Sequence, residues 1–167
     1  MKHTLPLLLT LALLLTLASC GRGVAASDIL TAMCDSQPPL PAGRVYDSEA
    51  EAGEAGFADE ELLAVLFGDG ALPIEFEAVN AFAFRLPAVG MPHEFAVFAC
   101  VSPQDAQDVA QMCLRRTDVL RRGYAGTEWE AMTRDARVCV SGCYVLLAVG
   151  EDALTAIETG RRAARGN

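Results

Sequence analysis

Glu94-Phe95-Ala96-Val97-Phe98-Ala99-Cys100-Val101-Ser102-Pro103-Gln104-Asp105 decides how this chain is read. Its first part, residues 94–101, is rich in β-formers and apolar at odd and even positions alike. Such a run predicts a strand inside a sheet, covered on both sides. Its second part is a helix start. Ser102 caps, Pro103 suits the first helical position, and Asp105 gives a capping-box-like arrangement. Ala106, Val109, Ala110, Cys113, Thr117 and Leu120 recur at helical spacing and predict the buried stripe. Arg115, Arg116, Arg121 and Arg122 gather towards the end of this helix. They suit its dipole and read as a solvated polar face.

Working upstream, residues 74–86 carry Ile74, Phe76, Val79, Phe82 and Phe84 and predict another strand, followed by a loop at 87–92. Asp59 predicts the cap of a helix through Leu62, Leu63, Leu66 and Phe67, which Gly68 stops as a C′ residue. Ser27 predicts the cap of a short helix with Ile29, Leu30 and Met33 on one side. Between these helices lie Pro38, Pro39, Pro41 and the acidic-alanine run at 49–54. That composition builds no core, so residues 35–56 read as a mobile or loosely packed linker.

Downstream, Thr127-Glu128-Trp129-Glu130 resembles a capping box opening a short helix. Residues 137–140 and 143–149 flank Ser141-Gly142, a hairpin with a two-residue turn. A last helix spans about 152–165, with Leu154 and Ile157 inward. Two hairpins separated by a helix predict an α+β fold. The expected architecture is a mainly antiparallel four-stranded sheet packed by helices on one face, a two-layer sandwich over residues 57–167.

Met1-Lys2-His3 is a weakly basic start, and residues 4–18 form an uncharged, leucine-rich run of 15 residues. A helical membrane span needs about 20 apolar residues, so residues 1–19 read as a signal peptide. Leu17-Ala18-Ser19-Cys20, followed by Gly21, resembles the lipobox of bacterial lipoproteins. The resemblance implies that Cys20 carries a diacylglyceryl group with palmitate-type acyl chains and becomes the first mature residue. Residues 20–34 would then be the lipid-anchored start. The anchor would hold the protein on the extracytoplasmic face of the cell membrane, with the bilayer as its partner.

Three further segments carry a second resemblance. They are Glu61-Leu62-Leu63-Ala64-Val65-Leu66-Phe67-Gly68, Glu94-Phe95-Ala96-Val97-Phe98 and Gly142-Cys143-Tyr144-Val145-Leu146-Leu147-Ala148-Val149. Together with the lipobox they resemble a domain-of-unknown-function family of clostridial-type Gram-positive lipoproteins. That likeness implies an extracytoplasmic lipoprotein and supplies no catalytic residues.

Beyond residue 19 the chain holds 12 Arg and 22 acidic residues, a charge of −10. This excess argues against nucleic acid, whose phosphates need cationic neutralisation. Lys2 is the only lysine, which excludes a Walker-type phosphate loop and a lysine Schiff base. His93 is the only histidine past the signal peptide, which excludes His-rich metal sites. It reads as a structural residue at a strand edge. Asp47, Glu49, Glu51 and Glu54 miss the spacing of a calcium loop. No catalytic, metal-binding or cofactor-binding residue is expected, and no cofactor.

Five cysteines accompany Cys20: Cys34, Cys100, Cys113, Cys139 and Cys143. They read first as small buried hydrophobes, with their disulfide state open. Cys100 and Cys113 are expected in one core, as packing. A turn at Ser141-Gly142 would place Cys139 and Cys143 on opposite faces of the hairpin. The chain thus reads as a non-enzymatic binding or envelope-assembly module with an envelope protein as partner. The alternative is an extracytoplasmic thiol-redox protein using Cys139 and Cys143.

Overall fold

The structure is a computed structural model that describes residues 23–88 and 90–166. Its elements run α1 (Ala26–Asp35), β1 (Gly43–Asp47), α2 (Glu60–Phe67), a 3-10 turn (Ile74–Ala78), β2 (Val79–Pro87), β3 (Glu94–Cys100), α3 (Pro103–Gly123), α4 (Glu130–Arg134), β4 (Arg137–Ser141), β5 (Tyr144–Val149) and α5 (Ala153–Ala163). The class is α+β, as expected.

Five strands form one antiparallel sheet in the order β1-β2-β3-β5-β4. The expectation of four strands misses β1, which lies inside the segment read as a linker. Gly43 to Asp47 pair with Pro87 to Ala83. Around β1 the turns are also ordered by hydrogen bonds. Ser48 N donates to Phe82 O, and Phe82 N donates to Ser48 Oγ. Residues 35–56 therefore include part of the fold, and the folded unit takes in α1 and β1, before Phe57.

β3 sits in the middle, and the two-sided apolar run explains why both faces of the sheet are covered. Even positions of β2 and β3, with odd positions of β5, face α2, the 3-10 turn and α3. Phe84, Ala96, Phe98, Cys100, Val145 and Leu147 pack there against Phe67, Val109, Met112 and Cys113. The opposite positions, Ala83, Phe95, Val97, Leu146 and Ala148, pack against Ile29, Leu30 and Met33 of α1 and Ala153, Ala156 and Ile157 of α5. Helices on both faces replace the expected two-layer sandwich with three layers. Each fully buried Phe or Leu contributes about 1.5–3 kcal/mol, so each layer contributes heavily to stability.

Local signals behave unevenly. Asp59 accepts from Leu62 N, and Ser102 accepts from Asp105 N, as the capping readings require. Gly68 ends α2 in extended rather than left-handed backbone; a Cβ there would lie 2.0 Å from Ala71 O. Residues 74–78 form a 3-10 turn, so β2 starts only at Val79. In α5 the buried stripe is Ala153, Ala156, Ile157 and Gly160, and Leu154 points to solvent. No helix among the described residues is long and apolar enough to cross a membrane.

Candidate functional site

Alternation along β3 sends the side chain of Glu94 to the same face as Ala96 and Phe98. Its carboxylate is 2% exposed and meets Arg116 of α3. Arg116 Nε donates to Oε1 at 3.0 Å and Oε2 at 3.1 Å, and Nη2 donates to Oε2 at 2.6 Å. Burial works against the charge of Arg116. The hydrogen bonds and charge of Glu94 outweigh it and hold the guanidinium above its ordinary value. Arg116 is thus no part of a solvated face. Its spacing from Val109, Cys113 and Leu120 puts it on the buried stripe, a signal present in the sequence. Arg115 and Arg121 are surface residues, paired with Glu75 and Asp118.

Alternation along β2 sends Arg85 to the other face, with Ala83. Arg85 is 9% exposed, and its Nη2 donates to Pro41 O in the loop after α1. Its Nη1 is buried with no hydrogen-bond partner, and no carboxylate pairs with it among the described residues. His93 stands next to it. Arg85 pairs with Phe95, so His93 is its diagonal neighbour across the strands. His93 is 5% exposed, and its ring meets Trp129 edge-on at 5.4 Å. Its Nδ1 is also buried without a partner among the described residues. Burial depresses the His93 pKa; Glu151 pulls it up and Arg85 pushes it further down. The structural role expected of His93 leaves this vacant nitrogen unexplained.

The cysteines separate by environment. Among the described residues, Cys34, Cys100, Cys113 and Cys139 are free thiols. Neither a Cys100–Cys113 nor a Cys139–Cys143 disulfide is present. Burial pushes the Cys34 thiol up to about 11, against a lowering by Arg85, and the Cys100 thiol up to about 12. Cys113, wholly buried, is raised further. The hairpin turn is Gly142-Cys143, one residue later than expected, because Ser141 pairs with Tyr144. Gly142 has φ +63°, which the first central position of a primed turn demands. Cys143 therefore sits in the turn. Cys139 lies in the ladder opposite Leu146 and packs towards the α1/α5 layer.

The acids read against calcium binding serve local turns. Asp47 Oδ1 accepts from Glu49 N, and Glu54 Oε2 accepts from Glu51 N. Among the described residues no three His, Cys, Asp or Glu side chains are grouped to hold a metal ion. On the α3 face an open groove of about 640 Å³ is lined by Ile74, Glu75, Glu77, Val101, Asp105 and Asp108. Cys20, the expected lipidation residue, and the expected signal peptide lie outside the described residues. Compared with known proteins, the chain matches no family model, no curated protein and no solved structure.

Proposed function

We propose that this protein is a lipid-anchored module on the extracytoplasmic face of the cell membrane, which binds or helps assemble envelope components and does no chemistry of its own. The location rests on the lipobox-like Leu17-Ala18-Ser19-Cys20 and on the likeness to clostridial-type lipoproteins of unknown function. The bilayer is one partner, through acyl chains on Cys20, and an envelope protein is the other. The observation that carries binding over thiol chemistry is the state of the cysteines. A reactive thiol needs a lowered pKa and access. Here burial raises Cys34, Cys100 and Cys113, and Cys139 is free and forms no pair with Cys143.

The geometry also bears on how such an anchor would hold the domain. Tyr144 Oη donates to Val24 O at 2.8 Å, and α1 begins at Ala26. A lipid on Cys20 would therefore hold the sheet close to the bilayer rather than on a long stalk. Labelling cells with a fatty-acid probe tests the reading. Label should appear in the wild type and vanish in Cys20→Ala; equal label in both contradicts it.

A further inference from the structure

We propose that Arg85 and His93 form a binding site for a small oxyanion, a carboxylate or phosphate, at the end of the sheet where β2 leaves and β3 begins. The inference gives the binding module a ligand class. It rests on the reading of this domain as a binder and not on its anchor.

A guanidinium taken out of water needs a counter-charge or a full set of acceptors. Arg116, at the same end of the sheet, has both from Glu94. Among the described residues Arg85 has one backbone acceptor, Pro41 O, and its Nη1 has no partner. The second unpartnered atom, His93 Nδ1, lies just before the neighbouring strand β3. The strand register brings the two groups together, so the two vacancies describe one place.

The donors define the ligand. A guanidinium repels cations, which excludes a metal ion. An oxygen of an anion can accept from Arg85 Nη1 and from His93 in the tautomer that carries its proton on Nδ1. Around these groups lie Cys34 from α1, protonated at neutral pH, the Pro41 carbonyl, the Trp129 ring and the carboxylate of Glu151 after β5. Glu151 is exposed and is the carboxylate among the described residues that acts on His93. An incoming oxyanion would supply the counter-charge that no carboxylate among the described residues gives Arg85.

The test uses the full chain, titrated separately with sodium phosphate and sodium acetate against sodium chloride at constant ionic strength. The readout is the imidazole NMR signal of His93, with His3→Gln identifying the other histidine. A saturable shift with phosphate, with acetate or with both is expected, and the ion that acts identifies the oxyanion. The bound anion should raise the His93 pKa, because it stabilises imidazolium. Arg85→Gln should weaken binding at least about tenfold, and Arg85→Lys, which keeps the charge but loses the fork, should fall between. No saturable shift beyond chloride with either anion would overturn the proposal. So would equal binding in the wild type and both Arg85 variants. Fatty-acid labelling at Cys20 is unaffected by either result, so failure here is distinguishable from failure of the anchored-module reading.

Discussion

Arg116 and Arg85 reach the same end of the sheet from opposite faces, and among the described residues only Arg116 finds its charge matched. On the α3 face, aromatic rings fill the layer. Phe98 meets Phe67 at 5.3 Å and Phe76 at 5.9 Å, and Tyr46 stacks on Phe84 at 5.0 Å. The buried charge of that face is closed by Glu94. On the α1/α5 face the layer is thinner in side chains. Ala83, Ala148, Ala153 and Ala156 let the helices approach, and a Cβ on Gly160 would lie 2.8 Å from Met33 Cγ. There Arg85 and His93 are buried with polar atoms that have no partner among the described residues. One face satisfies every demand of packing and pairing in its buried ion pair; the other leaves a local rule broken. Broken rules of this kind mark where a fold has been shaped for something besides stability.

Breaking the matched side should cost most. Glu94→Gln removes the carboxylate charge and leaves Arg116 buried, which should cost about 3–5 kcal/mol in urea denaturation. Replacing both partners, Glu94→Leu with Arg116→Met, should recover most of that loss, since apolar replacement of a buried pair is often neutral or stabilising by about 1–4 kcal/mol. A single variant as stable as the wild type would show that the pair is not a buried one.

The comparison of faces can be sharpened in the core. Phe98→Ala should cost about 3–5 kcal/mol and Leu146→Ala about 2–5 kcal/mol. Leu146 lies on the α1/α5 face. A negligible loss at Leu146 would mean a solvated second face and a two-layer molecule.

Much of this was legible. The two-sided run at 94–101 already requires cover on both faces of β3, although hairpin order taken alone points to a one-faced sandwich. Arg116 was legible by helical period, but an arginine among arginines near a helix end reads as surface. β1 was hidden by its neighbours. Arg44, Val45 and Tyr46 are strand formers, but prolines and an acidic-alanine run flank them, and an edge strand shows no clean alternation. Arg85 and His93 could not be read as a pair, because only the strand register makes them neighbours.

A smaller effect concerns the thiols. Cys34 and Cys100 are raised from 9.0 to about 11 and about 12. Above pH 9 the unfolded chain loses these protons while the folded chain keeps them. The unfolded state then binds fewer protons, so stability is full below the ordinary thiol range and falls as pH rises through it. The urea midpoint should decline over that window, and the decline should flatten in Cys34→Ala with Cys100→Ala. An unchanged slope in that variant would count against buried, protonated thiols.

The most direct measurement sets the two arginines side by side. Arg116→Met and Arg85→Met are compared by urea denaturation in phosphate-free and carboxylate-free buffer. Arg116→Met strands a buried carboxylate and should lose about 3–5 kcal/mol. Arg85→Met removes an unmatched charge and should leave stability unchanged or higher. Equal losses in the two variants would contradict the account, because Arg85 would then already have its counter-charge within the fold.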